Sequence, residues 1–359
     1  MPDITEEQVL EQLRTVKDPE LHRDLVTLNM IPGVTIDGSR VNVQVELTTP
    51  ACPMKEQIQG DIEKALRHIP GVEQVEISWS ARVRSSRPSA TQLPGVKNTV
   101  SVGAGKGGVG KSTAAVLLAY GLRRLGASVG LMDADVYGPS IPTMTGIEGA
   151  KPEVRGKMIV PPVAGGVRIM SIGFMVERDK PLIWRGPMTH GVIKQFLEQV
   201  DWGELDYLFV DLPPGTGDVP LTLAQSIPMT GSVVVCTPQD VALMDARRAV
   251  KMYEQLNVPS LGIIENMSYY LCPKCGHRDE LFDHGGAALA AAELGVPFLG
   301  EIPLNASIRV FGDQGAPEKI FTDTEDYVSK AIERVVANTA GQISIRSELH
   351  AAAPTLAVE

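Results

Sequence analysis

Residues Gly105-Lys106-Gly107-Gly108-Val109-Gly110-Lys111-Ser112-Thr113 constrain the fold of this chain more than any other segment. An apolar run, Val100–Val102, leads into them, and Ala115, Leu118, Leu122 and Leu125 follow at helical spacing. This order predicts a strand, a glycine-rich turn and a helix whose N-terminus attracts an anion. Gly105, Gly110, Lys111 and Ser112 match the pattern G-x-x-x-x-G-K-[ST], in which glycines let backbone N–H groups approach nucleotide phosphates. Lys111 then reaches the terminal phosphates and Ser112 ligates Mg2+, so residues 105–113 form the expected nucleotide-binding loop. Lys106 is additional to the pattern. It stands at the start of the loop and cannot easily fold back onto phosphates that the same loop wraps, so its expected target is a second molecule.

Apolar runs recur at Val129–Met132, Val167–Ile172, Tyr207–Val210, Ser232–Cys236 and Leu261–Ile264, with helical patterns between several of them. Short apolar strands separated by helices predict an α/β fold, a doubly wound and mostly parallel sheet buried on both faces. Ligands of such sheets bind beyond the carboxyl ends of the strands. Two of the predicted strands deliver acids there. Asp133-Ala134-Asp135 closes one, and Asp133 or Asp135 there can orient the attacking water or hold Mg2+. Tyr207-Leu208-Phe209-Val210-Asp211 closes another, which suits Asp211 to the magnesium shell. Leu212-Pro213-Pro214-Gly215-Thr216-Gly217-Asp218 follows, rigid and then flexible, able to sense a γ-phosphate.

The first part of the chain reads differently. Val9, Leu10, Leu13 and Val16 form a helical run, Val41, Val43, Val45 and Leu47 an alternating strand, Cys52-Pro53 a helix start, and Val72, Val75 and Ile77 a final strand. Residues 1–80 are therefore expected to form a small α+β domain, residues 81–97 a basic Ser/Pro-rich linker, residues 98–338 the nucleotide domain, and residues 339–359 a poorly ordered tail. No basic-then-apolar leader and no apolar stretch of about 18 residues occurs, so a cytoplasmic protein without a membrane span is expected. A formal charge of −10 opposes general nucleic-acid binding, which needs a basic field.

The 4 cysteines are too few for a disulfide framework in 359 residues. Cys236, ending an apolar strand, is expected to be a small buried hydrophobe. Cys52 at a helix start is expected to have its thiol pKa lowered by the helix dipole. Trp184-Arg185-Gly186-Pro187-Met188 has the default reading of an aromatic loop packed on the core. Cys272-Pro273-Lys274-Cys275 lies on a loop at the nucleotide end of the sheet, and two thiolates are half of a four-ligand iron–sulfur or zinc site. A two-fold dimer would supply four sulfurs. His277 and His284 would instead complete a zinc site within one chain, and a dithiol redox pair is a third reading.

Gly-Lys-Gly-Gly-Val-Gly-Lys-Ser-Thr, Asp133 to Ser140 and Asp211 to Asp218 together resemble the deviant-Walker ATPases and specifically their Mrp/ApbC branch, whose members are iron–sulfur cluster carriers. Asp18-Pro19-Glu20 and Thr48-Thr49-Pro50-Ala51-Cys52-Pro53 resemble the small iron–sulfur-assembly domain that many such proteins carry at the N-terminus. The resemblance implies a homodimeric ATP hydrolase that passes clusters from donors to apo iron–sulfur proteins. It implies that Lys106 crosses to the partner's nucleotide, that Asp135 handles the attacking water, that Asp133 and Asp211 serve Mg2+, and that Asn266 contacts adenine. It further implies a 4Fe-4S cluster bridged between subunits by Cys272 and Cys275. Ala104 departs from the serine common in relatives. Two other classes remain: an ATP-driven positioning or partition switch without a cluster, and a zinc-binding metal chaperone.

Overall fold

The computed structural model describes residues 4–85, 93–135, 138–175, 186–217, 221, 224, 225 and 227–352. The chain divides into two compact units, Met1–Arg84 and Ser85–Glu359.

In the first unit α1 (Glu6–Leu13) starts at a capping box: Gln8 N donates to Thr5 Oγ1 at 3.3 Å and Thr5 N to Gln8 Oε1 at 3.1 Å. Strands β1 (Gly33–Asp37), β2 (Arg40–Leu47) and β3 (Gln74–Ala81) form a sheet in that order. β1 and β2 pair antiparallel, whereas β2 and β3 are parallel and joined through α2 (Lys55–Leu66). Val41, Val43, Val45 and Leu47 alternate inward from β2 onto Ile58, Ile62 and Leu66 of α2 and Val9 and Leu13 of α1. Full burial of each such side chain contributes about 1.5–3 kcal/mol.

The second unit holds the eight-stranded sheet. Its strands are β4 (Val96–Gly103), β5 (Val129–Asp133), β8 (Val163–Ala164), β9 (Val167–Ser171), β10 (Leu205–Asp211), β11 (Gly231–Cys236), β12 (Ser260–Asn266) and β15 (Phe298–Ile302). They lie in the order β15-β12-β11-β4-β10-β5-β9-β8, and every pairing is parallel except β8 with β9. Two short hairpins stand outside it, β6 (Glu153–Arg155) with β7 (Met158–Val160) and β13 (Tyr270–Leu271) with β14 (Arg278–Asp279). The helices are α3 (Lys111–Arg124), α4 (Ile141–Met144), α5 (Gly186–Gln199), α6 (Asp240–Gln255), α7 (Gly286–Leu294), α8 (Ala306–Asp313) and α9 (Asp326–Ala352). β4 sits between β10 and β11, so the chain leaves it across β10 to β5 and later returns to its other side, opening a crevice at its carboxyl end.

Two features depart from the sequence reading. β8 and β15 join the sheet although neither stands among the apolar runs. The second is a correction: α9 runs through residues 339–352, where a poorly ordered tail was expected, with Ala340, Ile343, Ser344 and Ser347 buried. Ser347 Oγ donates to Asn98 Oδ1 on β4 at 3.1 Å. Among the described residues no helix is long and apolar enough to cross a membrane.

Candidate nucleotide and metal sites

The loop after β4 is shaped by close approach. Gly110, at φ +83°, opens α3, and a Cβ there would stand 2.1 Å from Asn266 Nδ2. A Cβ on Gly105 would stand 2.2 Å from the backbone carbonyl of Asp245 on α6. Neither site has room for a side chain. Asn266 Nδ2 donates to Val109 O at 2.8 Å, pinning the loop to the end of β12. Gly215 N donates to Ala104 O at 2.8 Å, which ties the segment after β10 to the same loop. Val136, Tyr137, Asp218 and the Trp184-Arg185 pair lie outside the described residues.

Parallel register sets Ser171, Asp133 and Asp211 side by side on the ends of β9, β5 and β10. Lys111 Nζ donates to Asp211 Oδ1 at 2.6 Å and lies 3.3 Å from Asp135 Oδ2. Ser112 Oγ donates to Asp211 Oδ2 at 2.6 Å. Asp133 accepts from Ser171 Oγ at 2.8 Å and from Asp135 N at 3.1 Å. Asp133 and Asp211 are fully buried. Burial, and then the charge of Asp211, push the Asp133 carboxyl up, with Ser171 and Lys111 opposing; burial likewise raises Asp211 against the pull of Lys111 and Ser112. One ammonium thus faces three carboxylates in a dry site. An all-oxygen donor set with surplus negative charge fits a hard divalent cation, and Ser112 with Asp211 are the residues that would hold Mg2+. Lys106 is half-exposed, and among the described residues it pairs with no carboxylate.

Beside Thr113 and Asn266 opens a cavity of about 700 Å3, walled by Gly138, Pro139, Met144, Met267, Pro303, Leu304 and Ile308. Its size and largely apolar wall suit a nucleobase with its sugar. Sequence reasoning reached Thr113 and Asn266 but not the wall from Pro303 to Asp313, which no local pattern marks.

Cys272 and Cys275 lie between β13 and β14. Cys272 N donates to His277 O at 2.9 Å and Gly276 N to Cys272 O at 2.8 Å, with Gly276 at φ +70° making the turn. The N–H groups of Lys274 and Cys275, then the Cys275 thiol, point at the Cys272 sulfur and hold its thiol below the ordinary value. That favours the thiolate, the form that binds metal. The His284 ring is engaged elsewhere, with Nε2 3.0 Å from Glu301 Oε1 and 2.8 Å from Arg278 Nη2. Among the described residues no third His, Cys, Asp or Glu ligand atom joins the two sulfurs. Among the described residues the two thiols therefore stand without a further ligand, and the zinc reading through His277 and His284 gains no geometric support.

Cys236 is buried, its thiol pushed up to about 12 by burial and by Glu265, as expected of a small hydrophobe. Cys52 corrects the sequence reading. α2 begins only at Lys55, and burial together with the charges of Glu20 and Asp18 pushes the Cys52 thiol up to about 11 rather than down. Glu20 is itself pushed up to about 7 by burial and Asp18. Sequence reasoning also missed Ser171, which no spacing connects to Asp133, and Asp245, which closes over Gly105.

A mostly parallel sheet, a phosphate loop after its central strand and acids on the adjoining strand ends define a P-loop nucleotide-binding protein. The family model described as NUBPL iron-transfer P-loop NTPase matches residues 95–340, and that of an iron–sulfur cluster assembly protein matches residues 6–79. An iron–sulfur cluster carrier protein of Deinococcus radiodurans is 49% identical over 97% of this chain and 99% of its own length. That of Synechocystis is 48% identical over 95% and 99%, and that of Escherichia coli K12 39% identical over 94% and 92%. Among solved structures, a nucleotide-binding protein of Archaeoglobus fulgidus in complex with ADP aligns at TM-score 0.58 and 40% identity, covering 65% of this chain and 90% of that one. The cell division ATPase MinD of Pyrococcus furiosus aligns at TM-score 0.50 and 19% identity, covering 67% and 97%, which is a likeness of fold. The chain belongs to the iron–sulfur cluster carrier family of P-loop NTPases.

Proposed function

We propose that this protein hydrolyses ATP as a homodimer and carries iron–sulfur clusters to apo iron–sulfur proteins. The observation that carries the reading is the half-site: Cys272 and Cys275, with amides aimed at the Cys272 sulfur and no third ligand from the described residues. Two copies related by a two-fold axis supply the four thiolates that a 4Fe-4S cargo takes. Family membership over nearly the whole chain supports the same cargo.

Residues 105–113 cradle the triphosphate, Lys111 leaves Asp211 and Asp135 to meet it, and Asn266 with the adjoining cavity receives adenine. Mg2+, held by Ser112 and Asp211 with Asp133 in support, would neutralise charge on the β- and γ-phosphates. Once Lys111 has moved onto the phosphates, Asp135 orients the attacking water. Lys106 reaches the nucleotide of the partner subunit, where a cation supplied across the interface neutralises charge in the transition state. The 4 free cysteines suit a reducing compartment, and the cytoplasm is the proposed one. A partition switch leaves the Cys272–Cys275 hairpin without a task, and the net charge of −10 provides no field for DNA.

Anaerobic reconstitution with iron and sulfide, read by visible absorption and iron content, tests the reading. Wild-type dimer should take up one four-iron cluster and Cys272→Ala none. A full, transferable cluster on Cys272→Ala would end it.

A further inference from the structure

Glu265 is buried at the carboxyl end of β12, one residue before Asn266, and the motifs give it no role. Consecutive strand residues point to opposite faces, and here the two faces serve two sites. Asn266 reaches Val109 in the phosphate loop. Glu265 turns the other way and accepts three hydrogen bonds: from Ser268 Oγ at 2.6 Å, Gly285 N at 3.2 Å and Ala287 N at 2.8 Å. Ser268 precedes the cysteine hairpin, and Gly285 and Ala287 follow it. One carboxylate therefore closes both ends of the segment that carries Cys272 and Cys275.

The ligand atoms of Glu265, His284 and Glu301 lie within 4.8 Å of one another, an arrangement that also resembles a cation site. The Arg278 guanidinium already stands there, 2.8 Å from His284 and 3.9 Å from Glu301. It stacks over Tyr269 at 4.0 Å, so the cation at this place is a side chain that roots the hairpin.

We infer that Glu265 is a positioning residue that ties the cysteine hairpin to the nucleotide strand, so that movement of the phosphate loop shifts Cys272 and Cys275. The inference rests on those cysteines being the cargo ligands. β12 is paired on both sides, by β11 and β15, and is a stiff element between the two sites. Glutamine at 265 keeps the shape but turns one acceptor oxygen into a donor facing N–H groups.

The test is iodoacetamide alkylation of Cys272 and Cys275 in the full-length, cluster-free protein, followed by peptide mass spectrometry with and without ADP. ADP should change the wild-type rate by about fivefold or more, and the rate of Glu265→Gln by less than about twofold, with ADP affinity preserved. Ser268→Ala, which deletes one of the three bonds, should fall between. An undiminished ADP effect in Glu265→Gln overturns the inference, as does its absence in wild type. If Glu265→Gln fails to fold, Ser268→Ala decides, and a wild-type ratio there overturns it. No cluster enters the measurement, so failed reconstitution with an intact ADP effect would remove the cargo reading alone.

Discussion

Lys111→Met deletes one charge from a site where none is screened by water. The ammonium lies 2.6 Å from Asp211 and 3.3 Å from Asp135, and Lys111 is 6% exposed, Asp211 not at all. With an effective dielectric constant near 20, the Asp211 contact alone is an attraction of about 6 kcal/mol, much of it offset by the desolvation of both groups. Deleting one partner of a buried pair leaves the other uncompensated, at a cost of about 3–5 kcal/mol. Asp133 and Asp211 already sit above the ordinary carboxylate range, and without the lysine both move further up. A carboxyl with a raised folded pKa binds more protons folded than unfolded between its two pKa values, so its stability contribution falls as pH rises through that window. The variant has more of this slope than wild type. The destabilisation should therefore be about 3–5 kcal/mol at pH 8 and shrink on the way to pH 6, by about 1.4 kcal/mol per pH unit for one extra bound proton. Urea-dependent hydrogen exchange of the β4 and β10 amides, without nucleotide, measures this for the larger unit. A loss below about 1 kcal/mol at pH 8, or the same loss at both pH values, would refute Lys111 as the counter-ion of the carboxylates.

Gly110→Ala places a Cβ 2.1 Å from Asn266 Nδ2 at φ +83°. Left-handed strain of about 1–2 kcal/mol plus a lost hydrogen bond of about 1 kcal/mol should weaken ADP binding by roughly tenfold or more in calorimetry. Glu20→Gln removes a carboxyl whose pKa rises from 4.5 to about 7, a penalty absent below the lower value and complete above the upper one. After allowance for partial exposure, the substitution should stabilise the first unit by roughly 1–2 kcal/mol at pH 8 and little at pH 4.5, read from exchange of β2 amides. An equal gain at both pH values would contradict the raised pKa. Lys106→Ala should slow phosphate release from ATP by about 10³ with monomer ADP affinity little changed; unaltered turnover would remove Lys106 from the mechanism.

What the sequence made legible follows from how local each constraint is. Gly105 to Thr113 could be read because every requirement of a phosphate loop lies within nine residues and β4 and α3 flank it. Asp133 and Asp211 were found because they end apolar strands, but Ser171 was not, since its bond to Asp133 depends on β9 lying beside β5. The end of α9 was misread because its buried face sets Ile343 among Ala340, Ser344 and Ser347, small residues that pack closely but leave too weak a hydrophobic period to read. Cys52 was misread because a helix start was visible locally, whereas its burial, and after that the charges of Glu20 and Asp18, which together raise its thiol, depend on residues distant in sequence.

The carboxyl end of the sheet carries two acidic rows, and their difference in chemistry separates the moving part from the fixed one. On β5 and β10, Asp133 and Asp211 are compensated by Lys111, by hydroxyls and by raised proton affinity, all of which phosphate and metal can replace. On β12, Glu265 is compensated by two backbone N–H groups and Ser268, and no ligand displaces backbone donors without unfolding the segment. Charge can therefore rearrange around the nucleotide while the connection to the cysteines stays intact. A connection of that kind transmits strain only if both ends hold, and Asn266 on Val109 is the bond that holds the nucleotide end.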